Sequence, residues 1–391
     1  MSLTWLLDPL SVDTFLDDIW AKTHYLVKRR CPDYFAHLFG VAAVEDFLEY
    51  VRPEPPAVRL VRRNENLASV RLADGSIDMV RVRNAFADGY TIVLNGLERY
   101  MPEIAAVART IEVELNFETQ VNAYITPPQS QGFLPHYDDH DVLILQSLGS
   151  KTWHLYGPDA DVPTHELRIR TPFVGDKLSP PCVLSLEAGD LLYIPRGRVH
   201  AAEANAVPSI HLTVGIHPPT VLALVTKALE ALSYTDDRVL ARLPPKYLDD
   251  AEARRSLDAL VRDVLSAVGE PSIVALGLGA VEDALVRLGR CRPVGQLVSN
   301  AVETHLIDGH ARMMKSPLLR SRVLAIDGGV ALQFAQSLLK ADSDHRAAML
   351  FLSRTSNPFR VDELPELPPP QQIELARKLV IDGFLVRLPN D

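Results

Sequence analysis

The stretch that most constrains this chain runs from Ala123 to Pro219, where short runs of β-forming residues are separated by Gly, Pro and Asp. That spacing predicts a barrel-like sandwich of short strands. Within it, SIHLTVGIH (209–217) alternates cleanly. Ile210, Leu212, Val214 and Ile216 share one face, leaving Ser209, His211, Thr213, Gly215 and His217 on the other, which is assigned to a pocket.

His136 and Asp138 form an H-x-D pair inside this stretch. In an extended segment residues i and i+2 point the same way, about 7 Å apart, so both reach one metal ion. A third ligand follows at His200. The segment VLSLEAGDLLYIPRGRVH reads as two short strands broken by Gly189-Asp190, then a Pro195/Gly197 corner that sets His200 on the next segment. Two imidazoles and one carboxylate form the facial triad of non-haem iron(II) oxygenases, with positions left open for substrate chemistry.

The register beyond the pair is a separate clue. VLILQSL, Gly149-Ser150 and KTWHLY read as a hairpin with a two-residue loop, placing Leu148 opposite Lys151. With the strand continuous back to His136, the even-numbered residues from 136 to 148 share a face with Lys151, Trp153 and Leu155. Lys151 then enters the pocket. A buried lysine needs an anion, and the far carboxylate of a metal-bound dicarboxylate supplies one. His140 shares the same face and is open to three readings, a support for the ligands or a substrate contact, which are favoured, and an alternative ligand. His154 falls on the opposite face and is read as structural.

The segments NAYITPPQSQGFLPHYDD, ILQSLGSKTWHLYGP and GDLLYIPRGRVHAAE together resemble the cupin-type Jumonji C oxygenases called ribosomal oxygenases. The motifs cover roughly the first 218 residues, and the remainder is similar in general layout only. The resemblance implies an α+β chain: a double-stranded β-helix catalytic domain with a helical lead-in (1–218), a helical dimerisation region (219–300) and a winged-helix-like domain (301–391). It implies Fe(II) held by His136, Asp138 and His200 as the catalytic centre. It also implies 2-oxoglutarate held by Lys151, with Asn122 and Thr213 beside it, and dioxygen as the second cosubstrate. The implied substrate is a histidine or arginine side chain of a ribosomal protein, entering near Tyr137, Arg196 and Arg198. Two other readings stay open: the same chemistry on a small molecule or peptide natural product, and a cupin-like binding module without activity.

Elsewhere the patterns are plainer. Val12, Phe15, Leu16 and Ile19 have helix spacing, as do Phe35, Leu38 and Phe39; residues 57–82 alternate like strands around an Asp74-Gly75 turn; 91–95 reads as a strand and ERYMPEIAAVARTIEVEL as a helix. After Pro219 the chain turns helical. TVLALVTKALEAL opens this part, and Leu257, Leu260, Val261, Val264, Leu265 and Val268 then mark an amphipathic helix, either for packing or for a homodimer. Near the C-terminus QQIELARKLVIDGFLVRL reads as a helix, Gly383 and a short strand.

At 391 residues the chain has room for two or three domains, and 47% apolar with 23% charged residues is ordinary for a globular protein. Cys31, Cys182 and Cys291 lack C-x-x-C spacing, so they are expected as buried small hydrophobes in a reducing compartment. Aspartates interrupt the N-terminal apolar run and no long apolar segment follows, so neither secretion nor a membrane span is expected, and a cytoplasmic location is. A formal charge of −10 argues against general nucleic-acid binding and suits a basic protein partner. Residues 311–391 carry 11 Lys/Arg against 9 Asp/Glu, too balanced for a phosphate-binding surface, so the last domain is expected to be structural or a protein contact.

Overall fold

The computed structural model describes residues 2–67, 70–157, 178–289 and 304–389. They form two compact units, Met1–Pro218 and Pro219–Asp391.

In the first unit two short helices, α1 (Leu3–Leu7) and α2 (Val12–Thr14), lead through a π turn into β1 (Tyr25–Val27) and α3 (Val41–Tyr50). Next come β2 (Val58–Arg62), β3 (Glu65–Asn66), α4 (Met79–Ala87), β4 (Thr91–Leu94), α5 (Pro102–Leu115) and β5 (Glu118–Thr126). The remaining strands are β6 (Asp141–Leu148), β7 (Ser150–Leu155), β8 (Cys182–Glu187), β9 (Leu191–Ile194), β10 (His200–Ala204) and β11 (Ser209–His217). Eight strands pair in the order β1-β9-β6-β11-β5-β4-β2-β3, and a second sheet has the order β10-β7-β8.

Period-two alternation divides the core. Odd residues of β6 and even residues of β11, such as Leu143, Leu145, Leu212 and Val214, pack with the helices in one large cluster. On the other face Val142, Ile144, Leu192 and Ile194 meet Trp153, Leu155 and Leu186 of the second sheet. The pocket opens on this inner face.

Several expectations need correction. No β6–β7 hairpin forms: β6 pairs with β9 and β11, whereas β7 pairs with β8 and β10. The chain changes sheets at Gly149, whose φ is +66°, and a Cβ there would lie 2.1 Å from the Pro208 carbonyl oxygen. Glycine is required on both counts. Nor does β6 reach back to His136, which is tied instead by an isolated bridge to His200. Met79–Val82 is helical despite its alternation, because the Asp78 side chain accepts from Arg81 N–H and caps α4. Tyr25–Val27 is a strand that the pattern did not suggest, and Phe35, Leu38 and Phe39 are buried in turns instead of a helix. Cys31 and Cys182 are exposed, against expectation, and Cys291 lies outside the described residues.

The second unit begins with α6 (Val221–Leu232), α7 (Ala251–Val268) and α8 (Pro271–Leu288). Gly277 of α8 sits against Ala228 of α6, where a Cβ would meet backbone nitrogen at 2.9 Å. Then come β12 (Arg312–Lys315), β13 (Ser321–Ile326), β14 (Gly329–Phe334), β15 (Ser337–Ala341), α9 (Arg346–Arg354), β16 (Phe359–Arg360), α10 (Pro369–Ile381) and β17 (Leu385–Arg387). They make two three-stranded sheets, β16-β12-β17 and β13-β14-β15, around their own apolar cluster. No single helix among the described residues is long and apolar enough to cross a membrane.

Candidate active site

His136, Asp138 and His200 converge, with one ligand atom from each lying within 4.8 Å of the others. Backbone geometry sets this up. His136 and His200 exchange N–H···O bonds of 3.0 and 2.8 Å, so the loop before β6 and the start of β10 are locked side by side. Gly197, at φ +81°, donates its N–H to the Asp138 carbonyl at 2.8 Å, so the Pro195/Gly197 corner fixes the third ligand-bearing segment.

The donor set fits a divalent metal. Nδ1 of His136 lies 2.8 Å from the Leu134 carbonyl and Nδ1 of His200 lies 2.9 Å from that of Arg198. A carbonyl only accepts, so each Nδ1 carries the proton and each Nε2 is left as a lone-pair donor. Burial, then His136, lowers the pKa of His200 to about 4. Burial pushes the Asp138 carboxyl up, but the imidazoles of His200, His136 and His140 outweigh it and hold the carboxyl below its ordinary value. Neutral imidazole and ionised carboxylate are the forms that bind a metal.

These side chains line a cavity of ≈ 710 Å³. Lys151 also lines it, although only 4% exposed, with no hydrogen bond or ion pair to its Nζ among the described residues. Burial alone lowers its pKa to about 7. Asn122 and Thr213 are register partners on β5 and β11 and both face the cavity; the Asn122 side-chain oxygen accepts from Gly96 N–H at 3.0 Å. His140 does not join the triad. It stacks on His217 at 4.4 Å, over the bare backbone of Gly215, with Nδ1 3.1 Å from Asp139. His154 points away and meets Glu203 at 3.3 Å. Tyr137 lines the cavity, but Arg196 and Arg198 do not, and the cations at its outer part are Arg59 and Arg99. The arginine corner therefore shapes the loop and does not border the entrance.

Tyr124, Phe133 and Gln120 also line the cavity, beyond the residues expected there. The strand period was the available signal, since Gln120, Asn122 and Tyr124 alternate along β5 and so share the pocket face. Burial, then Asp138, raises the Tyr124 pKa, keeping it a phenol. Phe133 fills the space between Tyr124 and His136, with ring centroids 6.1 and 5.6 Å away.

A two-sheet β-fold with two histidines and one aspartate on its inner face defines a cupin-type metal site. Residues 98–224 match the JmjC domain family, within a fold of mixed helix and sheet. Among curated relatives, "Bifunctional lysine-specific demethylase and histidyl-hydroxylase NO66" of Aedes aegypti is 30% identical over 54% of this chain and 34% of that protein. "Ribosomal oxygenase 1" of Rattus norvegicus is 26% identical over 83% of this chain and 53% of that protein. The chain thus spans about a third of the first relative and about half of the second. Among solved structures, Escherichia coli ribosomal oxygenase YcfD superposes with a TM-score of 0.58 at 17% identity, covering 97% of this chain and 98% of that one. The same protein in complex with cobalt and 2-oxoglutarate gives 0.57, with coverage of 97% and 99%. These structural likenesses carry the fold.

Proposed function

We propose that this chain is an Fe(II)- and 2-oxoglutarate-dependent dioxygenase that hydroxylates a histidine or arginine side chain of a ribosomal protein. The observation that carries the reading is one cavity holding both three side chains that could hold a metal and a buried lysine with no partner among the described residues. His136, Asp138 and His200 would hold the metal, Lys151 the distal carboxylate of 2-oxoglutarate, and Asn122 and Thr213 would lie along it. When bound, iron and 2-oxoglutarate supply the oxidising power: one dioxygen atom leaves in succinate with release of CO₂, and the other enters a substrate C–H bond. The protein's part is to orient and to exclude water. Val142, Ile144, Trp153 and Phe133 make the inner wall apolar, so the few polar groups act at low dielectric.

The relatives' names support a ribosomal-protein substrate, and the net charge of −10 supports a basic one. Substrate would enter past Glu54, Arg59, Gln120 and His140. In the second unit α6 exposes Val221, Leu222 and Val225, and α7 exposes Val261 and Leu265, which supports residues 219–300 as the dimerisation region of a homodimer. The succession α10, Gly383, β17 supports a winged-helix-like module over 301–391, read as a protein contact. A ribosomal-protein substrate is compatible with the expected cytoplasmic setting. Mass spectrometry of ribosomal proteins from cells with and without the chain tests the reading: one added oxygen on a histidine or arginine, present only with the chain, is expected. Identical spectra would refute the ribosomal substrate.

A further inference from the structure

The inner end of the cavity holds three nitrogens that nothing in the described protein satisfies. Lys151 and Trp153 project from one face of β7, two positions apart, and His211 meets Trp153 from β11 with ring centroids 5.7 Å apart at 74°. Trp153 is 5% and His211 3% exposed, yet neither the indole Nε1 nor the imidazole Nδ1 has a partner. Lys151 has none among the described residues either. His211 is not free to turn elsewhere, because its ring stacks on Tyr124 at 4.8 Å and 7°.

Buried polar groups normally find hydrogen-bond partners, so three in one place make a cradle for the acceptors of a ligand. Their chemistry narrows that ligand. An ammonium and an indole N–H only donate, and burial, then Lys151, holds His211 neutral, with one N–H to give. A carboxylate offers about four acceptor positions, more than one lysine can fill in a dry pocket. A neutral carbonyl would leave the ammonium unneutralised, and a cation would be repelled by it.

We propose that Trp153 and His211 join Lys151 in binding the distal carboxylate of the cosubstrate, and so select a 2-oxo dicarboxylate over a 2-oxo monocarboxylate of the same length. This rests on the reading above that a cosubstrate on the triad metal extends to Lys151. Both residues act as specificity determinants, and neither is a metal ligand.

The test is calorimetric titration of Mn(II)-loaded protein with 2-oxoglutarate and with 2-oxovalerate, in which a methyl group replaces the distal carboxylate. His211→Phe keeps a flat ring on Tyr124 and removes both nitrogens, and Trp153→Phe removes the indole N–H. Each variant is expected to weaken 2-oxoglutarate about fivefold or more while moving 2-oxovalerate less than about twofold, with Mn(II) affinity unchanged by electron paramagnetic resonance. Equal loss for both ligands, or unchanged 2-oxoglutarate binding, overturns the proposal. Lys151→Ala separates the two levels: if wild-type protein binds 2-oxoglutarate and Lys151→Ala binds it equally well, the cosubstrate reading itself is wrong. Thermal melts accompany each variant, and if one melts below the assay temperature the other decides.

Discussion

Replacing Lys151 by Met is expected to stabilise the unliganded protein and at the same time abolish tight 2-oxoglutarate binding. The pKa of Lys151 falls from 10.5 to about 7 through burial alone. Each pKa unit is worth about 1.4 kcal/mol, so the shift corresponds to a penalty of ~5 kcal/mol, present in full below pH 7. The sign follows from proton counts. Between pH 7 and 10.5 the unfolded chain binds the proton and the folded chain does not, so wild-type stability from this group rises with pH across that window. Below about pH 7 both states are protonated and the full penalty is present. Lys151→Met removes the penalty and the slope together. Urea unfolding at pH 6.5 and 8.5 should show the variant more stable at the lower pH, with the gap closing at the higher. Ligand binding runs the other way, because the ion pair needs the charged amine. The affinity of metal-loaded wild type for 2-oxoglutarate should fall toward tenfold per pH unit above about 7, with uptake approaching one proton at pH 8.5 by calorimetry in buffers of different ionisation enthalpy. Equal proton uptake in wild type and Lys151→Met would refute the reasoning, since the titrating group would then lie elsewhere.

Three further outcomes are expected. His136→Ala or Asp138→Ala should lose metal and succinate formation together, because two ligands hold the ion poorly; wild-type metal content and turnover in both variants would remove the assignment. The purified chain should run near twice its 43.3 kDa mass by light scattering, and a concentration-independent monomer would remove the dimer. Gly149→Ala should lower stability by about 3 kcal/mol or more, from left-handed backbone strain plus the clash with Pro208, read as a fall in the urea midpoint.

Period-two reasoning recovered the pocket side of the sheets even where its premise failed. Lys151 was placed through a hairpin that does not exist. The placement still holds, because Val142 and Ile144 on β6 and Lys151 and Trp153 on β7 do face one another, across two sheets instead of along one ladder. Side-chain parity is a local property of an extended chain, whereas strand pairing depends on contacts distant in sequence, and Gly149 in the left-handed region is compatible with either a tight hairpin or a sheet change. The same limit hid the cradle nitrogens. His211 was assignable to the pocket face, but nothing in the sequence says that Trp153 from another sheet meets its ring. Charge composition misled at the entrance: Arg196 and Arg198 looked available beside His200, yet the corner turns them away and β2 brings Arg59 instead.

The two ends of the cavity make one electrostatic argument. At one end the three candidate metal ligands crowd together, with the Asp138 carboxyl held below its ordinary value beside a His200 imidazole whose pKa burial lowers to about 4. At the other a buried ammonium stands beside an imidazole that cannot accept a second positive charge. A divalent metal relieves the first end, and a molecule with an anionic group at each end, one on that metal and one on Lys151, relieves the second while drawing on the first. Either alone relieves one. Metal and dicarboxylate must therefore bind with mutual enhancement, and by linkage the factor by which metal tightens 2-oxoglutarate equals the factor by which 2-oxoglutarate tightens metal. With Lys151→Met the distal group gains nothing, but the proximal contact to the metal is untouched. The coupling factor should survive that substitution while the absolute affinity for 2-oxoglutarate falls, which distinguishes an anion held at both ends from one held at Lys151 alone.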